Sequence, residues 1–82
     1  MPFNKALVNA VLEISETANK FQSSVVIRTD TQNIDAKSIL GLTYTVLSSQ
    51  TFKLEIHGLD EKEAKAAMTH IFWKNKLPVE VI

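Results

Sequence analysis

The chain has 82 residues, of which 45% are hydrophobic, and its nine basic and nine acidic side chains cancel. That length predicts one domain with a small core, since a chain of this size buries only roughly 60–65% of the surface its unfolded form exposes. Balanced charge gives no electrostatic case for nucleic acid or an anionic membrane as partner. The absence of cysteine rules out disulfides and thiolate metal sites. With no apolar run approaching a membrane span and no charged-then-apolar leader pattern, a cytoplasmic protein is expected.

The first element is a helix over Asn4 to Phe21. Phe3, Leu7, Val11, Ile14, Ala18 and Phe21 recur at intervals of 4, 4, 3, 4 and 3, one stripe of a helix facing a core. Ser24 to Thr29, with Val25, Val26 and Ile27, turns to β-branched residues and predicts a strand. Asp30-Thr31-Gln32-Asn33 reads as a hairpin turn, although it lacks the glycine of the tightest turns, and Ile34 to Ala36 is a short return strand. Ser38 stands at an N-cap position, and a helix follows to about Leu47. Ser48-Ser49-Gln50 is a polar loop. In Thr51 to His57, Phe52, Leu54 and Ile56 alternate with Lys53, Glu55 and His57, so this strand has one buried and one solvated face. Asp60-Glu61-Lys62-Glu63 has the spacing of a capping box. The helix it opens runs to Trp73 or Asn75 on a stripe of Ala64, Ala67, Met68, Ile71 and Phe72. Glu61 and Glu63 suit the positive end of its dipole and Lys74 the negative end. Residues 77–82 read as an extended tail. Helices packed on one face of a small antiparallel sheet, an open-faced α/β sandwich, is the compact arrangement of these elements.

Little of this points to catalysis. His57 falls on the solvated face of its strand and His70 lies off the apolar stripe of its helix. With no cysteine and no paired histidine spacing, no metal or cofactor is expected. Gly41 and Gly58 are the only glycines, too few for a phosphate-cradling loop. No base neighbours a serine in sequence, and Glu61 and Glu63 are explained as helix-start charges. The chain is therefore not read as an enzyme. Ser38 has two compatible readings. Its hydroxyl caps a helix, and a phosphate placed there would meet free N–H groups and the positive end of the dipole. Trp73 is expected at the edge of the core, under the tail.

The order Lys37-Ser38-Ile39-Leu40-Gly41 resembles the regulatory-serine segment of the HPr family, the histidine-containing phosphocarriers of the bacterial sugar phosphotransferase system. The resemblance runs from Lys5 to Phe72. It includes Lys20-Phe21, Val25-Val26-Ile27, Asp35 to Leu42, Gly58 with Asp60-Glu61, and the alanine-rich last helix. Its register is unbroken from Leu7 to Leu47, with one residue missing near Ser48-Ser49. Asp35-Ala36-Lys37-Ser38-Ile39 and Gly58-Leu59-Asp60-Glu61 are similar to the catabolite-repression branch of that family. The resemblance implies an HPr-like open-faced sandwich, a four-stranded antiparallel sheet covered by three helices.

Two departures bear on function. The family's active motif, Gly-Ile/Leu-His-Ala-Arg-Pro, falls on Lys5-Ala6-Leu7-Val8-Asn9-Ala10, so Leu7 stands at the phosphorylatable histidine and Asn9 at the arginine. Leucine has no nitrogen to accept a phosphoryl group, and asparagine has no guanidinium to grip one. The family also begins with a strand before its first helix, and here the chain starts after it. The expectation is a single HPr-like domain over residues 1–82 that serves as a regulatory protein-interaction module rather than a phosphocarrier. Ser38 is its phosphorylation site, and Ile39, Leu40 and Thr43 form its partner-binding surface. Thr43 stands where the family often has a larger apolar residue. The partners implied are an HPr-type kinase or a regulator. The alternative is a structural domain that self-associates through sheet edges, with no phosphotransferase role. In Leu77-Pro78-Val79-Glu80-Val81-Ile82, two valines alternate with a glutamate behind a proline, which suits a further strand. Such a strand would add parallel beside the Thr51–His57 strand or pair with a second copy in a homodimer.

Overall fold

The computed structural model describes residues 5–48 and 51–82. Its elements are α1 (Lys5–Asn19), β1 (Ser24–Arg28), β2 (Asn33–Asp35), α2 (Ile39–Ser48), β3 (Phe52–His57), α3 (Glu61–Lys74) and β4 (Val79–Val81). Phe3 and Asn4, expected to open the first helix, lie outside the described residues, as do Ser49 and Gln50 of the expected loop. α1 stops two residues before Phe21. The Lys20 and Phe21 N–H groups reach back only three residues, to the carbonyls of Thr17 and Ala18 at 3.1 and 3.3 Å, a tightening common at helix ends.

The sheet order is β2-β1-β3-β4. β1 pairs antiparallel with β2 and with β3, setting Val25 opposite Ile56 and Ile27 opposite Leu54. These four side chains are buried on the helix-covered face. The other face carries Ser24 opposite His57 and Arg28 opposite Lys53. Two like charges face each other there, and each has a carboxylate beside it, Glu55 at 3.4 Å from Arg28 and Glu80 at 3.8 Å from Lys53. The hairpin between β1 and β2 manages without glycine because the Thr29 hydroxyl takes its place. It accepts from the N–H of Thr31 and Gln32 and donates to the Gln32 carbonyl at 3.2 Å.

β4 changes the sheet from antiparallel to mixed. It pairs parallel with β3, Phe52 opposite Val79 and Leu54 opposite Val81. The reason is the connection: α3 carries the chain back along the sheet, so the next strand runs in the direction of β3. The core lies between the sheet and the three helices. It contains Ile14 and Ala18 of α1, Leu42 and Val46 of α2, and Ala64, Met68 and Phe72 of α3. The rings of Phe52 and Phe72 pack at a tilt with centroids 6.1 Å apart, a favoured aromatic arrangement. On the surface, Lys74 of α3 reaches Glu13 of α1 at 2.8 Å, and the ammonium beside Glu13 holds its carboxyl below the ordinary carboxylate range.

Two sequence expectations about α3 are corrected. Trp73 is not tucked at the core edge but 55% exposed. The capping box is not made either: Asp60 is the N-cap residue, yet its side chain caps nothing in its own helix. Its carboxylate turns instead to the loop after α1. There it accepts from the N–H groups of Gln22 and Ser23, both at 2.9 Å, and from the buried Ser23 hydroxyl.

Candidate functional site

Ser38 is exposed, and it starts α2 as an N-cap does. Its Oγ accepts from the Gly41 N–H at 3.3 Å, and its carbonyl accepts from the Leu42 N–H at 3.0 Å. The turn that delivers it is fixed on three sides. Asp35 Oδ1 accepts from the Lys37 N–H at 2.9 Å and the Asp35 carbonyl accepts from the Ser38 N–H at 3.0 Å. The Lys37 carbonyl accepts from Ser15 Oγ at 3.4 Å and Asn19 Nδ2 at 3.3 Å, both on α1. The Lys37 ammonium donates to the Phe21 carbonyl at 2.9 Å, placing a cation where the dipole of α1 is negative. Gly41 lets α2 sit close on β2: a Cβ there would meet Ile34 Cγ2 at 3.1 Å.

Past the cap, Ile39 and Leu40 stand out from the protein, 49% and 85% exposed. Thr43 is half-buried, and its hydroxyl is engaged within the helix, donating to the Ile39 carbonyl at 2.7 Å. Tyr44, one turn after Leu40, is exposed as well. Sequence reasoning passed over Tyr44, although its i, i+4 spacing from Leu40 puts both on one side of a helix. It also passed over Lys37, Asp35, Ser15 and Asn19 as the residues that position Ser38. An aspartate two residues before a lysine is a local signal for the first of these contacts. The α1 contacts have no such signal, because they cross 18 and 22 residues of chain.

Leu7 is half-buried and packs against the core, while Asn9 is exposed on the same end of α1. They lie about 9–12 Å along the helix axis from the Ser15 position that touches the Ser38 turn. His57 is exposed, with Nε2 at 3.1 Å from Glu55 Oε2, and His70 is exposed on α3. Among the described residues no three His, Cys, Asp or Glu side chains converge as a metal site would require. Nor is any described helix long and apolar enough to cross a membrane.

Three helices on one face of a four-stranded sheet, with an exposed serine capping the second helix, define a small open-faced α/β sandwich. A sequence profile described as the PTS HPr component phosphorylation site matches residues 8–73. The phosphocarrier protein HPr of Xylella fastidiosa (strain Temecula1) is 33% identical over 64 residues, which are 77% of this chain and 72% of that one. Among solved structures, the catabolite-repression protein Crh of Bacillus subtilis, described as a swapped dimer, has a TM-score of 0.72 at 29% identity, covering 83% of this chain and 79% of its own. An HPr dimer from Thermoanaerobacter tengcongensis has a TM-score of 0.71 at 30% identity, covering 83% and 78%. The chain belongs to the HPr family of the phosphotransferase system.

Proposed function

We propose that this protein is a regulatory, protein-binding member of the HPr family that carries no phosphoryl group on histidine, and that the start of α2 is its contact surface. The observation that carries this reading is an exposed, capped Ser38 flanked by the exposed side chains of Ile39 and Leu40. A phosphate on Ser38 would sit at the positive end of α2 and add up to two negative charges beside an apolar patch. The patch would thus recognise one set of partners when bare and another when modified. The partners are an HPr-type serine kinase and a regulator that reads the modified face, with Thr43 beneath it. Leu7, in the register of the family's histidine, offers no ring nitrogen. Asn9, in the register of the arginine, offers no guanidinium fork. The profile match begins at Val8, one residue after Leu7. The Bacillus subtilis relative is named for catabolite repression, which supports a regulatory role over a carrier role. On this reading the protein works in the cytoplasm, catalyses no reaction and requires no cofactor.

Two incubations test it. With the general phosphotransferase enzyme and labelled phosphoenolpyruvate, no acid-labile label should appear; label on His57 or His70 would overturn the non-carrier reading. With an HPr-type serine kinase, mass spectrometry should find phosphate on Ser38 and none in a Ser38→Ala variant. A folded sample left unmodified at high kinase concentration would remove Ser38 as the regulated residue.

A further inference from the structure

β4 is an edge strand, and its register shows which of its main-chain groups are used. Leu54 is opposite Val81, and the Ile82 N–H donates to the Leu54 carbonyl at 2.9 Å. In a parallel ladder one residue of each pair, here Leu54, bonds to the two residues that flank its partner, and the partner, here Val81, points its own N–H and C=O the other way. Glu80 and Ile82 therefore bond toward β3. The N–H and C=O groups of Val79 and Val81 face outward from the sheet order. This edge presents two donors and two acceptors in a run of three residues.

The side chains of Val79 and Val81 share the helix-covered face of the sheet. Val79 is half-buried against the core, whereas Val81 is 38% exposed. Beside Val79 is a shallow groove of about 320 Å³, bounded by Phe52, Trp73 and Pro78. Trp73, turned out of the core, forms one wall of this groove.

We infer that β4 is a self-pairing edge, and that its occupant is a second copy of this chain laid antiparallel across a twofold axis at Glu80. The segment Val79-Glu80-Val81 maps onto itself under that rotation. Val79 of one copy then faces Val81 of the other, and each such pair exchanges both of its N–H···O bonds, four bonds in all. Val81 of the second copy comes to lie beside Val79, on the side of the groove walled by Trp73 and Pro78. The pairing covers the apolar groups exposed at this edge and satisfies every outward main-chain group of Val79 and Val81. Charge is the one cost of this pairing, and each copy offsets part of it. Glu80 meets Glu80 of the second copy at the axis, and in each copy Lys53, at 3.8 Å, and Arg28, opposite Lys53, continue that row. Lys53 of each copy thus offsets part of the repulsion between the two carboxylates, while Arg28 is engaged by Glu55 at 3.4 Å. The alternative register, shifted by one residue, would turn the valines to the charged face. None of this requires Ser38, so the edge and the α2 surface stand or fall separately.

Sedimentation of the intact protein from micromolar to millimolar concentration should show a reversible, concentration-dependent dimer. Val81→Pro removes an outward N–H and leaves the Glu80 and Ile82 bonds to β3 in place. It should abolish the dimer while the thermal transition of the monomer persists. Glu80→Gln, which removes the like charges at the axis, should lower the dimer dissociation constant several-fold. Glu80→Cys supplies a further measure that does not depend on the proline variant folding. In a chain otherwise free of cysteine it should oxidise to a covalent dimer at least tenfold faster than Lys62→Cys on the exposed side of α3. A protein that stays monomeric at millimolar concentration would overturn the inference. So would a dimer indifferent to Val81→Pro in a folded sample, or equal cross-linking of the two cysteine variants.

Discussion

A single hydroxyl marks where α2 begins, and its contribution can be measured apart from any modification. Ser38 Oγ accepts from the Gly41 N–H, one of the donors that the first turn of a helix leaves without an intrahelical partner. Ser38→Ala should cost about 1 kcal/mol, the usual loss for an N-cap, and lower Tm by about 4–8 °C in a domain of this size. Ser38→Asp should melt within a degree or two of the parent, because a carboxylate both caps the turn and suits the positive end of the helix. Urea and thermal melts of the three proteins check this. An alanine variant as stable as the parent would mean that the Lys37 contacts alone hold the turn. This cap was legible in the sequence, because a serine preference at an N-cap depends only on the next three residues. The positioning of Ser38 by Ser15 and Asn19 was not, since nothing local to residues 35–38 names its partners on α1.

At the scale of an element, the end of α3 shows where local reasoning stops. The Lys76 N–H donates to the Trp73 carbonyl at 3.0 Å and the Leu77 N–H to the Phe72 carbonyl at 2.9 Å. This is the paired bonding of a Schellman turn, and Leu77 packs against the core behind it. The turn demands a left-handed residue, and Lys76 occupies it with φ 62°. Glycine is the usual signal for such a stop, so a lysine hid this one. Lys76→Gly should relieve a steric cost of about 1–2 kcal/mol, partly offset by the greater freedom of glycine in the unfolded chain, for a net gain of about 0.5–1 kcal/mol. Denaturant melts will show it as a raised midpoint; a lowered one would mean that the lysine stem contributes packing at the turn. The three helices and first three strands were legible because burial imposes a period of 3.6 or 2 on them. Trp73 was misplaced because the stripe of Ala64, Met68 and Phe72 already fills the core, and one residue further on a helix points about 100° away. The direction of β4 was legible from the order of elements and not from its composition: valine alternation serves a parallel or an antiparallel partner alike, but a strand added beside β3 after a returning helix runs parallel to it.

At the scale of the whole molecule, the fold is clasped where the loop after α1 meets the loop before α3. Gly58 passes so close to Ser23 that a Cβ on it would lie 2.6 Å from the Ser23 Cα, and its φ of 153° is one that side chains rarely adopt. Asp60 closes the clasp by accepting from Gln22 N–H, Ser23 N–H and Ser23 Oγ, across 37 and 38 residues of chain. The Ser23 hydroxyl first, and then the Gln22 and Ser23 amides, hold the Asp60 carboxyl below the ordinary carboxylate value. A carboxyl whose folded value is depressed stabilises the fold above its unfolded pKa, about 3.9, and loses that contribution as pH falls through the lower folded value. Asp60→Asn removes the charge and should melt several degrees below the parent at neutral pH. The gap between the two proteins should then narrow progressively below about pH 4. Glu13 and Glu61 are depressed in the same direction, by Lys74 and by the Gly58 amide. They are present in both proteins and cancel in the difference. Calorimetric Tm values from neutral pH into strong acid give the two curves directly. A gap that stays constant into strong acid would show that residue 60 acts by packing, and that the charge of Asp60 does not hold the two loops together.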